Sequence, residues 1–295
     1  MIAAPRAEFI ELPGLRLHVL RWGGPGRPAL LLHGLASNAR IWDRVAVALA
    51  EAGFAVAAPD LRGHGLSDKP DEGYDFASVT GDVRALVEQL GWAAPALVGH
   101  SWGGTLALDY AARHNRGPLA PGALALIDGG IAQLDDFPGA TWETVRDLLT
   151  PPRLAGTPLA AFLTRLHDPG RTWRPDEEAT AAILAGFELY ADGTLSPRLA
   201  FDRHMLVVRA LWEFQTYTRF DRVRCPVLMM PARPPEPRDP QEQGYLELKA
   251  RGLARAQQAI EDLRVHWMED SVHDIPLQRP AALAETLLDF LGRRA

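Results

Sequence analysis

The N-terminal part of the chain alternates short apolar runs with longer stretches of helical spacing. The runs ALLLHG, FAVAAPD, PALVGH and GALALID have the length and composition of strands buried on both faces of a sheet. Between them, IWDRVAVALAEAG, DFASVTGDVRALVEQLG and WGGTLALDYAARH repeat apolar residues every three or four positions, as one face of a helix does. This repeated strand–helix order predicts a parallel sheet covered by helices on both faces.

The alternation of strand and helix patterns stops in residues 130–222, which carry helix signals and no convincing buried strand. One helix in this segment is predicted to begin with Ser196 as its N-cap and Pro197 at its first position. Strand signals resume at CPVLMMPA and LRVHWM, each followed by a helical stretch. We therefore predict an α/β core formed by residues 1–129 and 223–295, with a helical cap, residues 130–222, inserted in it.

Composition limits the classes of function. The 295 residues are 47% hydrophobic and 23% charged, which is typical of a globular chain with a sizeable core. With a net charge of −6 and no basic block, neither nucleic acid nor a membrane is an expected partner. Only Lys69 and Lys249 of the 31 basic residues are lysine, which we interpret as genome composition. The single cysteine, Cys225, excludes an intrachain disulfide, and the absence of a signal-peptide pattern predicts a cytoplasmic protein.

Gly99-His100-Ser101-Trp102-Gly103 stands between a predicted strand and a predicted helix. This is the context of a nucleophile elbow, a turn so sharp that the serine adopts strained dihedrals. Side chains two positions away on either side would clash, so glycine is needed there. The pattern predicts that Ser101 is a nucleophile held over a helix N-terminus, which favours developing negative charge.

A serine hydroxyl needs a base, because it is a poor nucleophile at neutral pH. His273 lies after the last predicted strand and before the last predicted helix. That position is at the same sheet edge as Ser101, where open α/β sheets place their sites. We predict His273 as the base in preference to the histidines within predicted helices and strands.

The loop after the strand ALLLHG supplies a further expected part of the site. Gly34 lets the backbone approach a substrate closely, and the backbone N–H groups of Leu35 and Trp102 are candidate oxyanion donors. We expect His33, Gly34, His100 and Trp102 to contact the substrate.

The acid that orients the base remains open. In the chain order Ser…Asp/Glu…His it lies between residues 101 and 273. Asp128 ends the strand GALALID, whereas Glu236 and Asp239 lie in the proline-rich stretch after PVLMM. Asp128 is preferred by the sheet-edge rule, with Glu236 as the alternative.

The stretch DLRGHGLSDKP contains several residue types that bind metals, but their spacing matches no known metal site. We interpret it as a tight structural loop beside the site, in which Arg62 bridges neighbouring loops. No metal and no cofactor are expected.

Together, HGLASN, DLRGHGLSD, GHSWGG and HDIPLQRP resemble the α/β-hydrolase superfamily, and the resemblance covers nearly the whole chain. It implies a mostly parallel eight-stranded sheet with helices on both faces and a helical cap. It also implies the roles already discussed, with Ser101 as nucleophile, His273 as base, and Leu35 and Trp102 as oxyanion donors. The acid of this family usually follows the penultimate strand, where this sequence departs from the pattern; some members place it one strand earlier, where Asp128 lies.

The function that follows is a serine hydrolase cleaving carboxylic esters or lactones of small to medium, partly hydrophobic substrates through an acyl-enzyme. Haloalkane dehalogenases and epoxide hydrolases of this fold attack through aspartate, so Ser101 argues against both. One alternative is an aminopeptidase similar to proline iminopeptidases, whose HGGPG loop is replaced here by HGLAS. It predicts an acidic group in the cap for the substrate ammonium; the candidates are Glu143, Glu177, Glu178 and Glu188. The other alternative is a slow-turnover ligand sensor on the same fold.

Overall fold

The computed structural model describes residues 4–236 and 240–292, and only the backbone of residues 240 and 241. Within these ranges the strands are β1 (Arg6–Leu12), β2 (Leu15–Trp22), β3 (Arg27–Leu32), β4 (Phe54–Pro59), β5 (Ala96–His100), β6 (Ala123–Ile127), β7 (Thr157–Pro158), β8 (Phe187–Leu189), β9 (Thr194–Pro197), β10 (Val227–Met230) and β11 (Leu263–Val265). The helices are α1 (Asp43–Glu51), α2 (Phe76–Gln89), α3 (Trp102–Arg113), α4 (Trp142–Leu149), α5 (Leu159–Leu166), α6 (Glu177–Leu184), α7 (Phe201–Glu213), α8 (Tyr217–Phe220), α9 (Pro240–Ala259), α10 (Ile275–Gln278) and α11 (Pro280–Gly292). Short 3-10 helices span Ala39–Trp42 and Leu134–Asp136.

Eight strands form the central sheet, in the order β1-β2-β4-β3-β5-β6-β10-β11. All neighbours from β4 to β11 pair in parallel, whereas β2 pairs antiparallel with both β1 and β4. Every residue of β5, β6 and β10 is buried, which explains why these strands are continuously apolar rather than alternating. The predicted fold class, a mostly parallel eight-stranded sheet, is confirmed.

The core lies on both faces of the sheet. Leu30 and Leu97 face one side together with α2, α3 and α9, whereas Leu31 and Val98 face the other together with α1 and α11. Successive strand residues alternate between the faces, so one short apolar run serves both halves of the core. In the part of the chain that the structure describes, no helix combines the length and apolar character needed to cross a membrane.

The insertion, residues 130–222, lies between β6 and β10, which are neighbours in the sheet. It contains α4 to α8 and also a small antiparallel sheet in the order β7-β9-β8, which the helix signals did not predict. These strands have only 2, 3 and 4 residues and are mostly not buried. A search for continuously apolar runs does not detect strands of this kind.

The predicted helix start at Ser196 and Pro197 is wrong. Both residues belong to β9, and α7 begins only at Phe201. A tight turn at Asp192-Gly193 causes the difference: Gly193 has φ +82° and the Asp192 carboxylate accepts a hydrogen bond from the backbone N–H two residues later. Aspartate followed by glycine is a strong hairpin signal, and here it outweighs the helix-start signal of serine before proline.

Helix α3 begins against the carboxyl ends of two strands, and glycine makes this approach possible. A Cβ on Gly103 would clash with the backbone carbonyl oxygens of Leu32 and His33 at the end of β3. A Cβ on Gly99 would clash with the carbonyl oxygen of Gly103. These are backbone atoms at the packed junction of the sheet and α3, and they cannot move aside as a flexible side chain can. The two glycines therefore hold the α3 N-terminus directly over the sheet edge.

We expect Gly103→Ala to lower the free energy of unfolding by about 2–3 kcal/mol, because the added Cβ forces the backbone of a packed core to shift. The matched control is Gly81→Ala in α2, where a Cβ would meet nothing within 4 Å. That variant should gain roughly 0.5–1 kcal/mol, the difference in helix propensity between glycine and alanine. Urea unfolding monitored by circular dichroism measures both; wild-type stability for Gly103→Ala would contradict the close approach.

Candidate active site

Ser101 occupies the turn between β5 and α3. Its φ of 54° and ψ of −121° lie in a region that residues other than glycine rarely adopt. Its N–H donates to Ile127 O at 2.9 Å, and its carbonyl oxygen accepts from Gly104 N–H at 2.9 Å. The hydroxyl does not cap α3, although Ser101 stands at the N-cap position. It is therefore presented at the positive end of the helix dipole.

His273 and Asp128 meet at the same sheet edge. Asp128 directly follows β6, and His273 lies in the loop after β11. The His273 Nδ1–H donates to Asp128 Oδ2 at 2.6 Å. The Asp128 side chain is 1% exposed, whereas that of His273 is 53% exposed. The buried carboxylate thus fixes one ring nitrogen and leaves the other, Nε2, available.

Lys249, which the sequence analysis did not assign to the site, also contacts Asp128. Its Nζ lies 2.8 Å from Asp128 Oδ1. Burial by itself would raise the pKa of Asp128, but the Lys249 ammonium and the His273 hydrogen bond outweigh burial and hold that pKa well below its usual range. Desolvation lowers the pKa of His273, but the hydrogen bond and charge of Asp128 outweigh it, so the net pKa is raised above 6.5.

Glu236, the alternative acid, is exposed, and the carboxylate bonded to His273 Nδ1 is that of Asp128. Asp239 lies outside the described residues. The loop after β10 instead contributes a backbone donor, because Ala232 N–H bonds to Asp128 Oδ1 at 2.9 Å. That loop therefore supports a carboxylate supplied by the neighbouring strand.

A cavity of about 630 Å³ opens above this edge of the sheet. Ser101, Asp128, Lys249 and His273 line its floor, and the insertion contributes the apolar side chains Leu149, Trp173, Leu211 and Phe214. A mostly apolar cavity with a few convergent polar groups has the character of a small-molecule site.

The predicted oxyanion donors belong to the loop after β3 and to the first residue of α3. In the described ranges, the backbone N–H groups of Leu35 and Trp102 donate no hydrogen bond to another backbone group. Trp102 lines the cavity, whereas Leu35 is half-buried against the core. Gly34 brings the Leu35 loop close to the elbow, because a Cβ on it would lie 3.0 Å from the Ser101 Cβ.

The fold agrees with comparisons to known proteins. A protein-family model described as alpha/beta hydrolase fold matches residues 28–167, which contain Ser101 and Asp128. The chain has the α/β-hydrolase fold, and residues 28–167 match the model of that family.

The soluble epoxide hydrolase of Corynebacterium sp. (strain C12) is 43% identical over 126 residues, which cover 42% of this chain and 43% of that protein. The chain thus matches about two fifths of the length of such curated relatives. Among solved structures, E-2-(acetamidomethylene)succinate hydrolase has a TM-score of 0.77 at 21% identity, covering 98% of this chain and 99% of that chain. The esterase EaEST of Exiguobacterium antarcticum has a TM-score of 0.73 at 21% identity, covering 97% and 100%. At these identities the structural matches show the fold alone.

His33 and His100 are buried and absent from the cavity wall, which corrects the expectation that they contact substrate. His33 Nε2 accepts from Leu61 N–H at 2.9 Å, and its Nδ1–H donates to Gly34 O at 2.8 Å. His100 Nε2–H donates to His273 O at 2.9 Å. Burial lowers the pKa of His33 and lowers that of His100 to about 4, so both rings are neutral and join loops around the site.

The predicted structural loop, residues 60–70, supports the loop after β3. Burial lowers the pKa of His64 to about 3, so its neutral ring donates from Nδ1 to Arg62 O and accepts at Nε2 from Ala36 N–H at 3.2 Å. Arg62 pairs with Asp82 in α2 at 2.8 Å. In the described parts of the chain no group of three His, Cys, Asp or Glu side chains could hold a metal ion.

We expect a fluorophosphonate probe to label the wild-type chain at Ser101 and to leave Ser101→Ala unlabelled. Asp128→Asn should slow labelling on the order of 10⁴-fold, because the imidazole loses its orienting and stabilising carboxylate. The matched control is Glu236→Gln, which removes an exposed carboxylate and should label at the wild-type rate. A time course with peptide mass spectrometry measures this, and slow labelling of Glu236→Gln with normal labelling of Asp128→Asn would reverse the assignment.

Proposed function

We propose that the chain is a serine hydrolase that cleaves carboxylic esters through an acyl-enzyme. The observation that carries the proposal is the 2.6 Å hydrogen bond between His273 and Asp128, beside a strained elbow serine in the same cavity. A nucleophile, a base and a buried acid that orients the base are what acyl transfer by serine requires.

In the proposed reaction, His273 Nε2 takes the proton of the Ser101 hydroxyl as its oxygen attacks the ester carbonyl. The developing oxyanion is bound by the N–H groups of Leu35 and Trp102, each commonly worth about 3 kcal/mol in the transition state. Protonated His273 then gives its proton to the departing alcohol, which leaves an acyl-serine. A water molecule, deprotonated by the same nitrogen, attacks the acyl carbonyl and releases the acid.

The identity of the nucleophile favours esters over epoxides, although the relative from Corynebacterium is named an epoxide hydrolase. A serine oxygen that opened an epoxide would become a dialkyl ether, which water does not cleave under mild conditions. An aspartate nucleophile would instead form an ester, which water can hydrolyse. Ser101 therefore supports turnover only where the covalent intermediate is an acyl group.

The cavity supports the substrate class that we propose. Its volume of about 630 Å³ suits a small to medium molecule, and Trp173, Leu211 and Phe214 give the insertion side an apolar surface. We propose that the insertion acts as a cap that covers partly hydrophobic esters or lactones.

The aminopeptidase alternative has less support. None of its candidate cap acids lies on the cavity wall, and Glu178 instead lies 3.7 Å from Arg44. Besides Asp128, the acids on the wall are Glu242 in α9 and Asp274 beside His273, and all three lie outside the insertion. The ligand-sensor alternative predicts labelling without turnover, which the following measurement separates.

We expect wild-type protein to hydrolyse p-nitrophenyl esters and to leave a prolyl anilide and styrene oxide unchanged. Ser101→Ala and His273→Ala should both lose turnover, on the order of 10⁴-fold or more. His167→Ala, at an exposed histidine in the insertion, is the matched control for His273 and should keep wild-type activity. Epoxide opening that depends on Ser101, or labelling without turnover of any ester, would reject the proposal.

We expect kcat/KM to rise with pH along an acidic limb, because only neutral His273 can accept a proton. Its inflection should lie above 6.5, since the net effect of its surroundings raises the His273 pKa. Asp128→Asn removes the anion that raises this pKa, so its residual activity should show an inflection at lower pH. Initial rates across a constant-ionic-strength buffer series measure both, and an inflection that moves to higher pH in Asp128→Asn would contradict the assignment.

A further inference from the structure

The polar contacts of Lys249 centre on Asp128. Its Nζ lies 2.8 Å from Asp128 Oδ1, and it donates hydrogen bonds to Asp128 Oδ2 and to the carbonyl oxygen of Ala232, both at 3.1 Å. Two of the three ammonium hydrogens are thus used in hydrogen bonds within the protein. Lys249 lines the cavity, but both oxygens of the Asp128 carboxylate lie within contact distance of its charge. That charge therefore acts mainly on Asp128.

The choice of lysine at this position is also informative. Lys249 is one of two lysines among 31 basic residues, so arginine is the ordinary cation of this chain. The other, Lys69, likewise donates to backbone carbonyl oxygens, those of Gly65 and Ser67 at 2.9 and 2.7 Å. Both sites surround a compact cation with acceptors, an arrangement that the ammonium suits better than the wide, planar guanidinium. Composition alone does not account for these two lysines.

The charge of Lys249 changes the electrostatic environment of the His273 ring. A lone buried carboxylate would strongly favour the imidazolium, whereas the Asp128–Lys249 pair has no net charge. The other groups facing His273 are Asp274, whose carboxylate favours the imidazolium, and His100, a neutral buried ring that donates to the His273 carbonyl. Lys249 is thus the cation nearest the acid that orients the base.

We propose that Lys249 is a positioning residue of the site: it holds the Asp128 carboxylate toward His273, and its charge keeps His273 from becoming too strong a base. The expected effect on ester turnover rests on the proposed function, whereas the expected effect on the protonation of His273 does not. If His273 is a weaker base, it stays neutral to lower pH. Lys249 therefore extends the proposed activity to lower pH.

The test measures the protonation of His273 directly. Carbon-13 NMR of the imidazole Cε1–H in the full chain, titrated with pH, reports the His273 pKa, and the signal absent from His273→Gln assigns it. The variants are Lys249→Met and Lys249→Gln, which remove the charge, and Lys249→Arg, which keeps it. Lys249→Gln retains hydrogen-bonding capacity, so it covers the case in which Lys249→Met does not fold. The matched control is Arg255→Met, which removes a cation from the exposed side of the same helix, where Arg255 lies 3.7 Å from Asp136.

We expect the His273 pKa to rise in Lys249→Met and Lys249→Gln and to stay near the wild-type value in Lys249→Arg and Arg255→Met. On the acidic limb, where the rate follows the fraction of neutral imidazole, ester turnover by the neutral variants should fall on the order of tenfold and recover at higher pH. Unchanged titration in both neutral variants, or an equal rise in Lys249→Arg, would overturn the inference. A shifted titration in a protein that hydrolyses no ester would leave the inference standing and reject the proposed function.

Discussion

Three backbone segments meet at the elbow with no side chain between them, and the site depends on this contact. A Cβ on Gly103 would clash with the carbonyl oxygens that end β3, and one on Gly129 would clash with the carbonyl oxygen of Ser101. The Ser101 N–H also donates to Ile127 O, which ties the elbow to the end of β6. Backbone contacts of this kind leave little room for adjustment. They fix the positions of the loop after β3, Ser101 and Asp128 relative to one another.

The buried carboxylate of Asp128 is the second constraint, because such a charge is costly unless donors surround it. Each donor comes from a different element: Ala232 N–H from the loop after β10, the Lys249 ammonium from α9, and the His273 ring from the loop after β11. The later part of the chain therefore assembles around an acid that β6 supplies. This explains how the loop after β10 belongs to the site through a backbone donor while the acid bonded to His273 comes from the end of β6.

Four histidines near the elbow differ in what surrounds them, and their roles differ accordingly. His33, His64 and His100 are buried, and desolvation lowers the pKa of each, so neutral rings join neighbouring loops through hydrogen bonds. His273 faces the cavity and a carboxylate, and the net effect raises its pKa. Residue type alone does not separate these roles, because position relative to Asp128 and to the cavity decides them.

The sequence by itself determined the parallel sheet and the elbow around Ser101, because apolar runs, helical spacing and two glycines at fixed offsets are local signals. The turn at Gly193 is also a local signal, and in the structure it outweighs the helix-start pattern of Ser196 and Pro197. Tertiary structure alone showed that Asp128 and not Glu236 is the carboxylate bonded to His273 Nδ1, since this contact joins positions 145 residues apart. It also brought in Lys249, 121 residues from Asp128, which no motif marks. Contacts at such separations depend on how β6, β10 and α9 pack together, and no local pattern of residues encodes that packing.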